Sequence, residues 1–326
     1  MENEKVLDIR GLHAVFSIQK KEYEVLHDIS FSIHRNETVC VVGESGCGKS
    51  VTTLAVMGLM AKNGRVSAGT IEVDGVDLTK LPAKEVRKFR GKKMGMIFQE
   101  PMTALNPLLT IGYQMRENLM LHQGLNKEEA NKKAVEYLTK VGIANPESRL
   151  KQYPFQLSGG LRQRVMIAMV LSARPDLLIA DEPTTALDVT IQKQVLTLIN
   201  DLKKDMNAGI LFITHDLGVV AEIADRIVVL YAGRKVEEGT TEQIFKNPLH
   251  PYTRGLMKAV PDVDADEYEI SPIPGTFPNI TEEIKGCRFN PRCQCTCAKC
   301  FESAPEMIEV EPGHFVACHL CAKEEK

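Results

Sequence analysis

Gly43-Glu44-Ser45-Gly46-Cys47-Gly48-Lys49-Ser50 is the stretch whose reading decides the fold. It has the spacing G-x-x-x-x-G-K-[ST] and follows Thr38-Val39-Cys40-Val41-Val42, an apolar run that reads as a buried strand. Ser50 to Met60 then reads as a helix. A strand that delivers such a loop to a helix N-terminus lets the backbone of Gly43, Ser45, Gly46, Cys47, Gly48, Lys49, Ser50 and Val51 turn its N–H groups around phosphate oxygens. Lys49 would reach the β- and γ-phosphates, and the Ser50 hydroxyl would ligate Mg²⁺. A chance match in a glycine-rich turn would lack the flanking strand and helix. The expected ligand is a nucleoside triphosphate with its metal.

Bulk composition sets the frame around that loop. At 326 residues the chain suits one large α/β domain with an appendage, or two modest domains. Its 44% hydrophobic and 25% charged residues are those of a soluble globular protein. A net charge of −3 gives no electrostatic ground for a nucleic-acid partner. No apolar run approaches the roughly 18–20 residues of a membrane span, and Met1-Glu2-Asn3-Glu4-Lys5 lacks the basic and apolar regions of a signal peptide. The expected location is therefore the cytoplasm, with any membrane association made through a partner. Of nine cysteines, Cys40 and Cys47 lie near the loop and seven fall between Cys287 and Cys321. A reducing cytosol argues against a disulfide framework there.

Along the chain, Ile29-Ser30-Phe31-Ser32-Ile33 alternates like one strand of a small antiparallel sheet. Thr70 to Val73 followed by Asp74-Gly75 predicts a strand entering a hairpin, and Met94 to Phe98 a short buried strand. Leu121 to Ile143 predicts one helical stretch, with Asn126 and Glu129 placed as a capping box. Leu177–Ala180, Ile210–Thr214, Ile227–Ala232 and Arg234–Val236 read as strands; Ile191, Val195, Leu198, Ile199 and Leu202 make one helix face between the first two. Alternating strands and helices predict a largely parallel sheet covered by helices. After about Pro261 the composition shifts to an acidic run, Asp262 to Glu269, then prolines and cysteines, so a domain boundary is expected there.

Three further features narrow the chemistry. Leu177-Leu178-Ile179-Ala180-Asp181-Glu182 is a strand ending in two acids; Asp181 would orient the metal and its waters, and Glu182 would polarise the attacking water. Without a phosphate loop in the chain, such a pair would read as a solvated strand end. Leu157-Ser158-Gly159-Gly160-Leu161-Arg162-Gln163-Arg164 leads into a helical run, so Ser158, Gly159 and Gly160 form a second anion site at a helix start. Alone it would read as a flexible turn. Gln99 and His215 each follow a short strand, where ligands of a parallel sheet collect. Gln99 could reach Mg²⁺ or water, and His215 could hydrogen-bond the γ-phosphate.

Gly43–Ser50, Gln99, Leu157–Gln163, Leu178–Glu182, Ala186-Leu187-Asp188 and His215 resemble, in order and wording, an ATP-binding cassette (ABC) ATPase over roughly residues 6–260. The resemblance implies an α/β P-loop cassette with a mixed sheet core, an antiparallel β subdomain and a helical subdomain at about 100–175. It implies a head-to-tail dimer, each ATP held between one subunit's phosphate loop and the other's Ser158–Gly160. It also implies an aromatic residue on adenine, Tyr23 or alternatively Phe16.

Asn247-Pro248-Leu249-His250-Pro251-Tyr252-Thr253-Arg254-Gly255-Leu256, Gly286 to Cys293, Cys300 and Val316 to Leu320 resemble the segment after the cassette in oligopeptide and dipeptide importers. This implies the D-type ATPase subunit of a peptide permease, at the cytoplasmic face of the membrane. Its partners would be a sister ATPase subunit, two membrane permease subunits and, indirectly, an extracellular or periplasmic substrate-binding protein. Importers of nickel or other small solutes share much of this pattern. The resemblance divides the chain into a cassette, 1–260, and a Cys-rich C-terminal extension, 261–326.

By spacing alone, Cys297, Cys300, Cys318 and Cys321 form two C-x₂-C pairs suited to structural zinc. Cys287, Cys293, Cys300 and Cys318 are instead the four that match the importer tail, for which the resemblance implies a [4Fe–4S] cluster. Cys295, Cys297 and Cys321 exceed that set. A metal-free tail stands as the third alternative. Two other functions compete: a soluble cassette acting on DNA or ribosomes, expected to carry two cassettes or a long coiled coil, and a redox module working through the cysteines.

Overall fold

The structure, a computed structural model, describes residues 4–185, 187–258, 273–282 and 284–321, except the side chains of Thr103 and Leu202. Ala186, the acidic run Asp262–Glu269 and the boundary expected near 261 lie outside the described residues. In chain order run β1 (Lys5–Ile18), β2 (Lys21–His34), β3 (Thr38–Val42), α1 (Lys49–Val56), β4 (Gly64–Val73), β5 (Val76–Asp77), β6 (Met94–Ile97), α2 (Ile111–Gln123), α3 (Lys127–Lys140), α4 (Gly159–Ser172), β7 (Leu177–Asp181), α5 (Val189–Met206), β8 (Gly209–Ile213), α6 (Leu217–Ile223), β9 (Arg226–Tyr231), β10 (Arg234–Thr240), α7 (Pro251–Lys258), β11 (Ile308–Glu311) and β12 (His314–Val316), with further short helices between them.

Local chemistry explains the element ends. The helix expected over Leu121–Ile143 is two helices. Gly124 takes a left-handed backbone at φ 68 and closes α2 onto the Met120 carbonyl. Asn126 then starts α3, accepting N–H bonds from Glu128 and Glu129 while the Glu129 side chain returns to the Asn126 N–H. The helix expected over Ser50–Met60 also closes early, at Val56.

The chain forms two compact units, Met1–Leu7 with Ile33–Glu37 and Glu72–Phe212, and Asp8–Ser32 with Thr38–Ile71 and Ile213–Lys326. In the first, β8, β7 and β6 lie side by side, and β6 pairs with β7 in parallel from Met94↔Leu177 to Ile97↔Ala180. All five residues of β7 and of β8 are buried, which is why both read as unbroken apolar runs rather than alternating ones. Helices α2, α3 and α4 pack on one another.

In the second unit the order is β11-β12-β10-β9-β3. There β3 pairs with β9 in parallel, while β10 pairs antiparallel with β9 and with β12, so the C-terminal segment contributes strands to the sheet. The Glu237 carboxylate, fully enclosed, accepts N–H bonds from Leu249 (2.7 Å) and His250 (2.9 Å) and lies 2.9 Å from His314 Nε2. That buried acid ties the segment before α7 to β12.

His250 is itself enclosed and accepts the Tyr252 N–H on Nδ1 at 3.0 Å. Burial, helped by the charge of Arg254, lowers its pKa to about 3. A histidine held neutral in the fold and protonated at about 6.5 when unfolded adds stability above that pH. The contribution drains away as the pH falls from 6.5 toward 3, up to about 5 kcal/mol at 1.36 kcal/mol per pH unit. Urea midpoints between pH 8 and pH 4 should fall accordingly, and His250→Gln should flatten that slope.

Candidate functional site

In the second unit, β3 hands the chain to the loop and the loop to α1. Gly43 sits at φ 150, and a Cβ there would stand 2.3 Å from the Leu230 carbonyl oxygen. Gly48, at φ 106, would push a Cβ to 2.7 Å from Leu26 Cδ2. Only glycine fits either place. Gly48 caps α1 without a side chain, so first-turn N–H groups remain for a ligand. Lys49 is buried, and its ammonium donates to the Gly43 carbonyl (2.6 Å) and the Glu44 carbonyl (3.1 Å). Ser45, Gly46 and Ser50 are exposed along the same turn, while Cys47 is buried. Tyr23 is half-buried on β2. Phe16, its alternative, is packed against Gly64, whose Cβ would fall 2.7 Å from the ring.

The residues that brace this loop were not found from the sequence. Arg292, in the Cys-rich tail, grips the Glu44 carboxylate with both terminal nitrogens at 2.7 and 3.0 Å, which raises its hold on its proton beyond that of an ordinary guanidinium. Its Nε donates to the Pro274 carbonyl at 2.8 Å. The Glu44 N–H donates to the Tyr252 hydroxyl at 2.7 Å. Tyr231 packs edge-on against Tyr252, Phe277 and Phe289, and Phe277 lies 3.7 Å from where a Gly46 Cβ would stand. Both tail motifs singled out in the sequence, around Tyr252 and around Arg292, thus close onto the phosphate loop.

Arg292→Gln should cost about 2–3 kcal/mol in urea unfolding, less than the roughly 3–5 kcal/mol of a fully buried broken pair, because the Glu44 side chain keeps 30% exposure. It should also raise the KM for nucleotide several-fold. Adding Glu44→Gln should recover part of the lost stability, since no unpaired carboxylate remains.

The first unit carries the other half of the expected constellation. Asp181, buried, ends β7, and Glu182 follows with a left-handed backbone at φ 45. The Glu182 carboxylate accepts from Gln99 Nε2 at 2.8 Å and from the Thr185 hydroxyl at 3.3 Å. Gln99 and Glu182 are therefore brought together, one past the end of β6 and one past β7. Ser158 caps α4, its hydroxyl accepting the Leu161 N–H at 3.4 Å, and Ser158 and Gly159 are open to solvent. Inside the same helix, Gln163 is fully buried and donates to the Pro183 carbonyl. That bond links the Ser158–Gly160 helix to the loop after Glu182. His215, in the second unit, is exposed two residues past β8, beside Asp216, which caps α6.

Among the cysteines, Cys287 N–H donates to the Cys300 carbonyl at 2.8 Å, and the Cys297 and Cys300 sulfurs lie 3.5 Å apart. Burial pushes the thiols of Cys287, Cys293, Cys300 and Cys318 up, Cys318 to about 12, and each lies within reach of another's charge. Yet among the described residues no three of His, Cys, Asp and Glu converge as ligands of one ion do. Neither the zinc set of the two C-x₂-C pairs nor the four cysteines that match the importer tail are drawn together as a metal site among the described residues. Four partly or fully buried thiols, Cys287, Cys293, Cys300 and Cys318, are donors of the chemistry that zinc and iron–sulfur clusters both use.

Comparison with known proteins gives two matching family models: ABC transporter over residues 26–185, and the oligopeptide/dipeptide transporter C-terminal region over residues 236–300. The chain is 47% identical to the oligopeptide transport ATP-binding protein AppD of Bacillus subtilis, covering 98% of each. It is 47% identical to the oligopeptide transport ATP-binding protein OppD of Escherichia coli, covering 98% of this chain and 94% of that one. Its identity to the dipeptide transport ATP-binding protein DppD of B. subtilis is 46%, covering 97% and 95%. Among solved structures it resembles the dimeric ATP-binding cassette MJ0796 bound to ADP and Pi, with a TM-score of 0.66 and 27% identity over 72% of this chain and 98% of that one.

Proposed function

The chain belongs to the ATP-binding subunits of ABC transporters of the oligopeptide and dipeptide type, and on that premise we propose that it hydrolyses ATP to power peptide import through a membrane permease. The observation that carries the reading is the Gln99–Glu182 pair at 2.8 Å, in a chain whose phosphate loop holds a buried, transferable lysine. Lys49 leaves its two loop carbonyls for the β- and γ-phosphates. Ser50, Asp181 and Gln99 serve the Mg²⁺ that comes with the nucleotide, which neutralises the phosphate charge. Glu182 takes the proton of the attacking water; the new P–O bond forms as the bond to ADP breaks, and His215 meets the departing phosphate.

Ser158–Gly160, at the start of α4 with Ser158 and Gly159 open to solvent, caps ATP held by a second cassette, head to tail. The dimeric state of the MJ0796 cassette supports this. A sister ATPase, two permease subunits and an external substrate-binding protein complete the assembly at the cytoplasmic face of the membrane. No described helix is long and apolar enough to cross it. The names of the relatives favour peptides over nickel or another small solute. Residues 1–260 are read as the cassette and 261–326 as the extension, with Tyr23 on adenine. Purification from membranes should bring down a sister ATPase and two integral membrane subunits; isolation of the chain alone, with no membrane partner in mass spectrometry, would refute the reading.

Cys287, Cys293, Cys300 and Cys318 are proposed to hold a [4Fe–4S] cluster that staples the extension. Cys287→Ser with Cys293→Ser should lower bound iron and the melting temperature. Unchanged iron content and melting would remove the cluster.

A further inference from the structure

A cavity of about 410 Å³ lies in the second unit, and no residue of the phosphate loop lines it. Two guanidiniums face it, Arg234 from β10 and Arg288 from the tail. Arg288 is half-buried, its Nε is enclosed without a partner, and among the described residues neither guanidinium makes a hydrogen bond or ion pair. Arg292, by contrast, has Glu44 on both terminal nitrogens. The nearby cation Lys235 is likewise committed, at 2.5 Å to Glu238 and 2.5 Å to the Ser30 carbonyl.

The acids nearby do not neutralise the pair. Glu24 is engaged by His13 (2.5 Å) and His27 (3.0 Å), while Asp28 and Glu306 line the cavity from exposed positions without pairing to either arginine. Two neighbouring cations, partly out of water and with no acid bonded to either, oppose folding unless something anionic completes them, and Cys287, proposed above as a cluster ligand, lines the same cavity.

The fourth wall says which anion. His27 is nine-tenths buried, and its Nε2 is enclosed without a partner. With Nδ1 donating its proton to Glu24, the neutral ring presents a lone pair at Nε2. Burial first, and then the charge of Arg288, keep the ring neutral down to a pKa of about 4. Two guanidinium donors for oxyanion oxygens thus line the cavity together with His27, whose enclosed Nε2 is an unused acceptor for a hydroxyl. Carboxylates and sulfate near neutrality carry no acidic hydroxyl, and a phosphate monoester, with a second pKa of about 6, has mostly lost its own; inorganic phosphate keeps a P–O–H beside its oxyanion.

We propose that this cavity is a site for inorganic phosphate, in which Arg234 and Arg288 hold the oxyanion and His27 Nε2 accepts a P–O–H. The test is calorimetric titration of the full-length chain, its nucleotide site first filled with a non-hydrolysable ATP analogue and Mg²⁺, using inorganic phosphate, glycerol 3-phosphate and sulfate. Saturable phosphate binding is expected, weakened about tenfold or more by Arg234→Gln or Arg288→Gln, with affinity for the ATP analogue unchanged. Sulfate should bind several-fold more weakly than phosphate, and His27→Phe should erase that preference. Glycerol 3-phosphate, whose phosphate is mostly without a P–O–H at neutral pH, should bind more weakly than inorganic phosphate; equal or tighter binding of the ester overturns the proposal. Absence of saturable phosphate binding to the unsubstituted chain overturns the proposal. So does binding that survives both arginine replacements in variants that still take up the ATP analogue.

Discussion

Glu182→Gln should keep ATP binding and lose turnover by about 10²–10⁴-fold, the share of the barrier that a positioned general base supplies. The amide has the shape of the carboxylate and can still accept the Gln99 Nε2 bond now made at 2.8 Å. What it cannot do is take a proton from water. The backbone at φ 45 costs a non-glycine residue on the order of 1–3 kcal/mol, a strain the fold retains where it aims the carboxylate. With hydrolysis blocked and binding intact, ATP should hold two cassettes together, seen as a dimer in gel filtration that wild type forms only briefly. Near-wild-type turnover in this variant would end the assignment of Glu182 as base.

Lys49→Ala should weaken ATP binding by about a hundredfold, through loss of charge-assisted contacts worth roughly 1.5–3 kcal/mol each. The nucleotide-free protein should not suffer. Lys49 is buried, and its Nζ leans on two backbone carbonyls at 2.6 and 3.1 Å rather than on a carboxylate. Removing a poorly compensated cation should leave the melting temperature level or slightly higher. A fluorescent ATP analogue titrated into both proteins, with melting curves alongside, checks the two halves separately. Tight nucleotide binding without Lys49 would mean that the loop does not carry the phosphates.

Much of the nucleotide chemistry is legible in the sequence because it is local. A phosphate loop is eight consecutive residues between a strand and a helix, and β3 and α1 flank it as the spacing requires. The Asn126–Glu129 capping box is legible for the same reason: three residues of separation suffice to define it. Gly124 was legible too, but the periodicity ran through it, so two helices read as one. The cysteine tail defeated the same method. Spacing offered zinc through two C-x₂-C pairs and the importer-tail resemblance an iron–sulfur set, yet convergence of thiols depends on how separate turns fold over one another, and among the described residues neither set closes on one point.

Residue order alone determined the class of this protein, the triphosphate ligand and the acid pair at the end of β7, since phosphate recognition and water activation use groups only a few bonds apart. Folding in three dimensions decided what those groups lean on. Arg292 reaches Glu44 across 248 positions and Tyr252 across 208, and Gln163 meets Pro183 across 20. Nothing in a linear pattern fixes such encounters, because they follow from burial bringing distant polar groups where water can no longer satisfy them.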